Sequence, residues 1–70
     1  MRFSIEFEQE EDGRWIAEIP ELPGVMVYGS TRDEAQSKVE ALALRVIADR
    51  IESQGTRADP MVSFGRSMTR

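Results

Sequence analysis

The segment Glu18–Ala35, EIPELPGVMVYGSTRDEA, contains the features that decide the fold. Pro20 and Pro23 each lack a backbone donor and favour extended geometry in the residue before them. Gly24 can adopt the positive φ that a tight reversal requires. The run Val25–Tyr28 is rich in β-branched and aromatic residues, as short strands are. The segment therefore predicts a strand end, a turn and a second strand.

A helix start follows this strand. Gly29 ends the apolar run, and Thr31 with Glu34 three residues later matches a capping box. Apolar residues then recur at three- and four-residue spacing and form one stripe: Ala35, Val39, Leu42, Ala43, Val46 and Ile47. Gly55 suits the position just beyond a helix end. The pattern predicts one long helix over Arg32–Ser53.

The residues before this segment predict a β-hairpin. Arg2–Glu8 alternates polar and apolar residues and so predicts a half-buried strand. Asp12 and Gly13 form a strong hairpin-turn signal. Arg14–Ile19 then predicts the returning strand, with Trp15, Ala17 and Ile19 toward the core and with Ile16 and Glu18 on the opposite face.

The third strand has two apolar faces. Ile16 together with either Met26 and Tyr28 or Val25 and Val27 would leave an apolar patch on the side of the sheet away from the helix. In a small protein such a patch usually marks an association surface. The alternative is that the C-terminal segment folds over it.

The C-terminal segment gives weaker patterns. After a loop, Met61–Phe64 predicts a short fourth strand at a sheet edge, and Gly65–Arg70 predicts a frayed end. We expect one domain over residues 1–55 and a C-terminal extension over 56–70. The predicted fold class is α+β, with a three-stranded antiparallel sheet, one long helix on one face and the short fourth strand, in the order β-β-β-α-β.

Composition excludes several classes of function. The 70 residues allow one small domain, for which oligomerisation is a common source of added stability. The chain has no cysteine and no histidine, so thiolate metal sites, cysteine nucleophiles and histidine bases are all excluded. Its glycines match no phosphate-binding loop or dinucleotide motif. We therefore expect no cofactor and no bound metal.

No apolar run approaches a membrane span or the core of a signal peptide, which predicts a cytoplasmic protein.

The charge is unevenly distributed. Residues 1–55 contain twelve acidic and six basic residues, whereas residues 56–70 contain three arginines and one aspartate. An acidic body disfavours nonspecific nucleic-acid binding, which depends on neutralising phosphates. It suits a basic protein partner, or it serves only to keep a small protein in solution.

Glu6, Glu8 and Glu18 fall on the polar faces of adjacent predicted strands. A minimal metal-dependent nuclease could use such a cluster. Carboxylates exposed on strands are more commonly solvated surface groups, and the acidic residues at the helix start are explained by capping. This enzyme hypothesis is the less favoured one.

Residues 12–35 resemble the HicB-like antitoxin family. Members of that family have a hairpin, an Ala-Glu-(apolar)-Pro-(acid)-Leu-Pro-Gly segment, a short strand and a Gly-x-Thr-x-(acid)-Glu-Ala helix start. The residues here that match these motifs are Gly13, Pro20, Leu22, Pro23, Gly24, Gly29, Thr31, Glu34 and Ala35. The agreement is looser as far as Glu52. We interpret these residues as a structural motif and not as catalytic ones.

The resemblance implies a partial ribonuclease-H-like fold and the role of antitoxin in a type II toxin–antitoxin pair. Such a domain binds a small basic ribonuclease toxin and is not itself a nuclease. Complete antitoxins of the family continue into a DNA-binding domain, for which this chain has no room. We therefore expect no direct DNA binding and a short form of the family.

Sequence alone thus favours a non-enzymatic, HicB-like binding module that forms homo-oligomers, as dimers or tetramers, and sequesters a small basic toxin. The alternative is an orphan homo-oligomeric interaction module with no toxin. The candidate surface for a partner or for self-association comprises Ile16, Met26, Tyr28, Met61, Val62 and Phe64.

Overall fold

The computed structural model describes residues 2–54 and 63–68. It contains the strands β1 (Arg2–Gln9), β2 (Trp15–Glu18) and β3 (Met26–Gly29), the helix α1 (Arg32–Gln54) and the strand β4 (Ser63–Met68). The four strands form one sheet in the order β3-β2-β1-β4. The predicted α+β class and the order β-β-β-α-β are confirmed, and the helix bounds differ from those predicted by one residue.

The sheet is mixed. β1 pairs with β2 and β2 with β3 in antiparallel register, whereas β4 lies parallel to β1 at the other edge of the sheet. Parallel neighbours need a crossover connection, usually a helix, and α1 lies in the connection that leads to β4. The helix therefore packs on one face of the sheet, contacting β2 and β3.

The core lies between this face and α1. The residues buried there come from β1, β2, the connection between β2 and β3, and α1, and they are Phe3, Ile5, Phe7, Ala17, Ile19, Leu22, Val25, Ala35, Val39, Ala43 and Ile47. Their alternation in β1 and their four-residue spacing in α1 are the two periodicities that the sequence shows. Among the residues that the structure describes, no buried polar or charged residue interrupts this core.

The β1–β2 and β2–β3 connections each contain a glycine with the positive φ that its turn requires. Gly13 has a φ of 94° and closes a three-residue loop, in which its N–H donates to the Glu10 carbonyl at 3.0 Å. Gly24 has a φ of 87° and follows Pro23, in the arrangement of a type II turn, which the 3.0 Å hydrogen bond from Val25 N–H to the Leu22 carbonyl closes.

The C-terminal strand corrects two expectations. Gly65–Met68 does not fray but continues β4 alongside Ser4–Phe7, so the prediction of a frayed end was wrong for these residues. Phe64 pairs with Phe3 in register, and their ring centroids lie 6.0 Å apart on the core face. Phe64 therefore does not belong to an outward association surface. Met61, Val62 and the proposed domain boundary at residue 55 lie outside the described residues.

Candidate protein-binding surface

The candidate surface is the face of the sheet opposite α1, which we call the outer face. The register decides which residues lie on it, because paired residues in neighbouring strands point to the same side. Ile16 pairs with Tyr28 and Glu18 with Met26, whereas Ala17 pairs with Val27 on the core face. The sequence did not decide whether Met26 and Tyr28 or Val25 and Val27 lie on the outer face. The register shows that Met26 and Tyr28 do.

Ile16, Met26 and Tyr28 form an apolar strip on the outer face along β2 and β3. Met26 is 47% exposed and Tyr28 is 42% exposed, and both are large hydrophobic residues. Ile16 is half-buried between its neighbours. Solvent-exposed apolar side chains that are contiguous on a sheet face commonly mark an interaction site.

Acidic side chains border the apolar strip. Glu6 lies directly opposite Glu18 across the β1–β2 pair, and Glu8 lies opposite Ile16. These three residues, which we call the acidic row, share the outer face with the strip. Like charges directly opposite each other on a sheet destabilise the fold, so folding alone does not explain this pair.

Two arginines of the outer face have contacts at the ends of its strands. Arg2 is at the β4 side, where its guanidinium approaches Gly65. Arg14 is at the hairpin, where its Nε donates to Asp12 Oδ2 at 2.8 Å and its guanidinium lies 4.8 Å from the centroid of the Tyr28 ring. The backbone N–H of Arg14, together with this ion pair, lowers the pKa of Asp12. Arg14 thus has Asp12 as its ion-pair partner at the hairpin.

The motif residues hold β2 and β3 in position for this surface. Leu22 is buried between two consecutive turns, and its own N–H donates to the Ile19 carbonyl at 3.0 Å. Ile19 N–H donates to the Val25 carbonyl at 3.1 Å, which continues the β2–β3 ladder to the turn. The Glu21 carboxylate accepts the Ser4 N–H at 3.1 Å, beyond the end of β2, where Pro20 has no N–H group to continue the ladder with β1.

The predicted capping box is present at the start of α1. Glu34 N–H donates to Thr31 Oγ1 at 3.0 Å, and Ser30 N–H donates to Glu34 Oε1 at 2.7 Å. The return bond therefore goes to the residue before Thr31. The Ser30 N–H, and next the charge of Lys38, lower the pKa of Glu34. These hydrogen bonds give the motif residues Thr31 and Glu34 a structural role at the start of α1.

The acidic row was also the basis of the nuclease hypothesis. The structure brings Glu6 and Glu18 together as that hypothesis requires. However, within residues 2–54 and 63–68 no three acidic side chains are grouped so that they could hold a metal ion.

No helix in the described part of the chain is long and apolar enough to cross a membrane.

Sequence reasoning missed one charged residue near the core. The guanidinium of Arg32 lies 4.9 Å from the centroid of the Phe7 ring, and its Nε is buried without a hydrogen-bond partner. Arg32 is the first residue of α1, and nothing in the sequence around it distinguishes it from an arginine exposed to solvent.

The comparisons with known proteins give one informative result. The chain is 38% identical over 45 residues to a protein of Archaeoglobus fulgidus named "UPF0150 protein". The match covers 63% of this chain and 65% of that protein, which is less than two thirds of its length. No protein-family model matches the chain, and no solved structure matches it. The similarity is distant, and the name of this relative states no activity.

Proposed function

We propose that this chain is a non-enzymatic binding module that binds a small basic protein through the outer face. The observation that supports this most strongly is the apolar strip beside the acidic row, on the face that α1 leaves open. An apolar centre provides contact area, and the glutamates favour a positively charged partner over a neutral or acidic one. The resemblance to HicB-like antitoxins supports a basic ribonuclease toxin as the partner class.

The negative charge of the outer face favours a basic partner over a second copy of this chain. If two copies stacked outer face to outer face, the acidic row of one would oppose that of the other, and like-charge juxtaposition across an interface is costly. A lysine- or arginine-rich surface would instead neutralise Glu6 and Glu18 while covering Met26 and Tyr28. The outer face therefore suits a basic protein better than a homodimer contact.

The test is a capture experiment with charge-reversal variants. Tagged wild-type protein expressed in its native host should retain a small basic protein in fixed stoichiometry. The variant Glu6→Lys/Glu18→Lys should lose it, because two positive charges then face the partner. The control Asp49→Lys/Glu52→Lys makes the same charge change on exposed helix positions and should retain it.

The captured protein should then be assayed for ribonuclease activity with and without the wild-type chain. Inhibition at equimolar chain supports the antitoxin role. The proposal is contradicted if the wild-type chain captures no basic protein. It is also contradicted if the two double variants capture the basic protein equally well. Recovery of the chain only with itself would favour the alternative, an orphan homo-oligomeric module.

A further inference from the structure

The outer edge of β3 has main-chain groups that the sheet does not use. In the antiparallel β2–β3 ladder, hydrogen-bonded and non-hydrogen-bonded pairs alternate, and Ile19–Val25 is a bonded pair. Val27 therefore directs its N–H and C=O toward β2, whereas Met26 and Tyr28 direct theirs to the opposite side. Within the described residues no strand lies there, since β3 is the first strand in the sheet order.

The composition of β3 does not protect this edge. Natural edge strands are commonly guarded by charged side chains, prolines or bulges. Met26–Gly29 contains none of these, and Met26 and Tyr28 are two of the three large hydrophobic residues exposed in the described part of the chain. An uncharged edge whose donors and acceptors are not used by the sheet is a template for another strand.

We propose that two copies of this chain pair through β3 in antiparallel orientation, about a twofold axis at Val27. In this register Met26 lies opposite Tyr28 of the second copy, and each such pair exchanges two main-chain hydrogen bonds because both residues direct these groups outward. The edge is thus complementary to itself. The result is one continuous eight-stranded sheet with both outer faces on the same side.

Charge favours this edge contact over stacking of the outer faces. The acidic row lies on β1 and β2, so edge pairing keeps the two rows apart, with both β3 strands between them. It also joins Met26 and Tyr28 of both copies into one larger apolar strip. The proposal does not depend on the partner of the outer face, which stays open in this dimer.

Lys38 opposes this pairing. Its Nζ lies 3.4 Å from the Tyr28 carbonyl oxygen and 3.6 Å from Glu34 Oε1, so it occupies one of the edge acceptors. Edge pairing requires the ammonium to leave that oxygen and to keep its interaction with Glu34. Lys38→Met should therefore strengthen the dimer.

The first test is the mass in solution over a concentration series from micromolar to millimolar. We expect the wild-type chain to reach about twice the 7.9 kDa of one chain. Tyr28→Lys should shift it back to the mass of one chain, because each lysine would replace an apolar contact with Met26 of the second copy and the two lysines would be diagonal neighbours about 7–8 Å apart on the same face. Lys38→Met should reach the dimer mass at lower concentration than wild type.

Leu44→Lys is the matched control. Leu44 is 49% exposed, much like Tyr28, and it follows Gln36 and Glu40 at four-residue spacing on α1. Arg66 of β4 donates to Gln36 at 3.4 Å, so this row faces the opposite edge of the sheet. Leu44→Lys should leave the dimer unchanged. A monomer at every wild-type concentration, or equal weakening by Tyr28→Lys and Leu44→Lys, would overturn the proposal.

A cross-link tests the register without adding charge to the edge. The chain has no native cysteine, so Val27→Cys introduces a single thiol at the twofold axis. Cα atoms of a non-hydrogen-bonded antiparallel pair lie about 4.5 Å apart, within reach of a disulfide. Mild oxidation should give a disulfide dimer with Val27→Cys and not with Leu44→Cys. Equal cross-linking of the two variants would contradict the register.

Discussion

Gly29, at the end of β3, lies against the backbone of Ala35 in the first turn of α1. A Cβ atom on Gly29 would be 2.6 Å from the Ala35 nitrogen and 2.9 Å from its Cα. Both are backbone atoms, so no side-chain rotation can relieve the clash. This contact fixes the angle at which the chain leaves the sheet and enters the helix, and hence the face that α1 covers.

Gly29→Ala should therefore destabilise the protein strongly. We expect a loss of about 3 kcal/mol in the free energy of unfolding, as for other overpacked sites. Gly13→Ala is the comparison, because a Cβ there meets nothing within 4 Å and only the positive φ is strained. That strain costs about 1–2 kcal/mol. Urea denaturation at neutral pH measures both, and a smaller loss for Gly29→Ala than for Gly13→Ala would contradict this explanation.

The two leucines Leu22 and Leu44 provide a second comparison. Leu22 is 2% exposed and fills the core beneath the Pro-rich turn, whereas Leu44 is 49% exposed on α1. Leu22→Ala should cost about 2–5 kcal/mol, because it removes buried methyl groups and leaves a cavity. Leu44→Ala should change stability by less than about 0.5 kcal/mol. Thermal and chemical unfolding of both variants test this, and similar losses would mean that the turn leucine is not a core residue.

Local patterns predicted most of this fold. The capping box of Thr31 and Glu34, the hairpin at Gly13 and the stripe of α1 each depend on neighbours in sequence, and each is found in the structure. The core faces of β1 and β2 followed from simple alternation.

The presence of a fourth strand at a sheet edge was predicted correctly, but its extent beyond Phe64 and the inward position of Phe64 were not, for a physical reason. β4 pairs in parallel with β1, more than fifty residues earlier in the chain, so its partner leaves no trace in the local sequence. Gly65 and Arg66 resemble loop residues. Yet Gly65 faces the Arg2 side chain, and Arg66 reaches Gln36. The outward position of Met26 and Tyr28 could be decided only by the register with β2, because both faces of β3 are apolar in sequence.

Acid should weaken the start of α1. Glu34 has a lowered pKa in the folded protein, so the unfolded chain takes up the proton first as the pH falls. The stabilisation from Glu34 is therefore complete above its ordinary pKa of 4.5 and is lost as the pH falls through the lowered folded value. Glu34→Gln should show a shallower loss of stability across this range in denaturation at a series of pH values. Glu52→Gln, which removes the same charge from an exposed site on α1, is the control and should keep the wild-type slope.

The acidic row should affect stability and binding in opposite directions. Glu6 and Glu18 face each other directly across β1 and β2, so Glu18→Lys replaces a repulsion by an attraction. We expect the free energy of unfolding to rise by about 0.5 kcal/mol at low salt, and the gain to shrink in 1 M salt at a Debye length of about 3 Å. Glu18→Gln should give an intermediate value.

The same substitution should weaken capture of a basic protein partner, because it places a positive charge beside the apolar strip. Denaturation curves at two salt concentrations and a binding titration with the captured partner measure the two effects. A more stable variant that binds less would identify the Glu6–Glu18 pair as a feature retained for recognition. If Glu18→Lys lowered stability, or left binding unchanged, the repulsion would not be the cost of a binding surface, and the outer face would have to be explained by solvation alone.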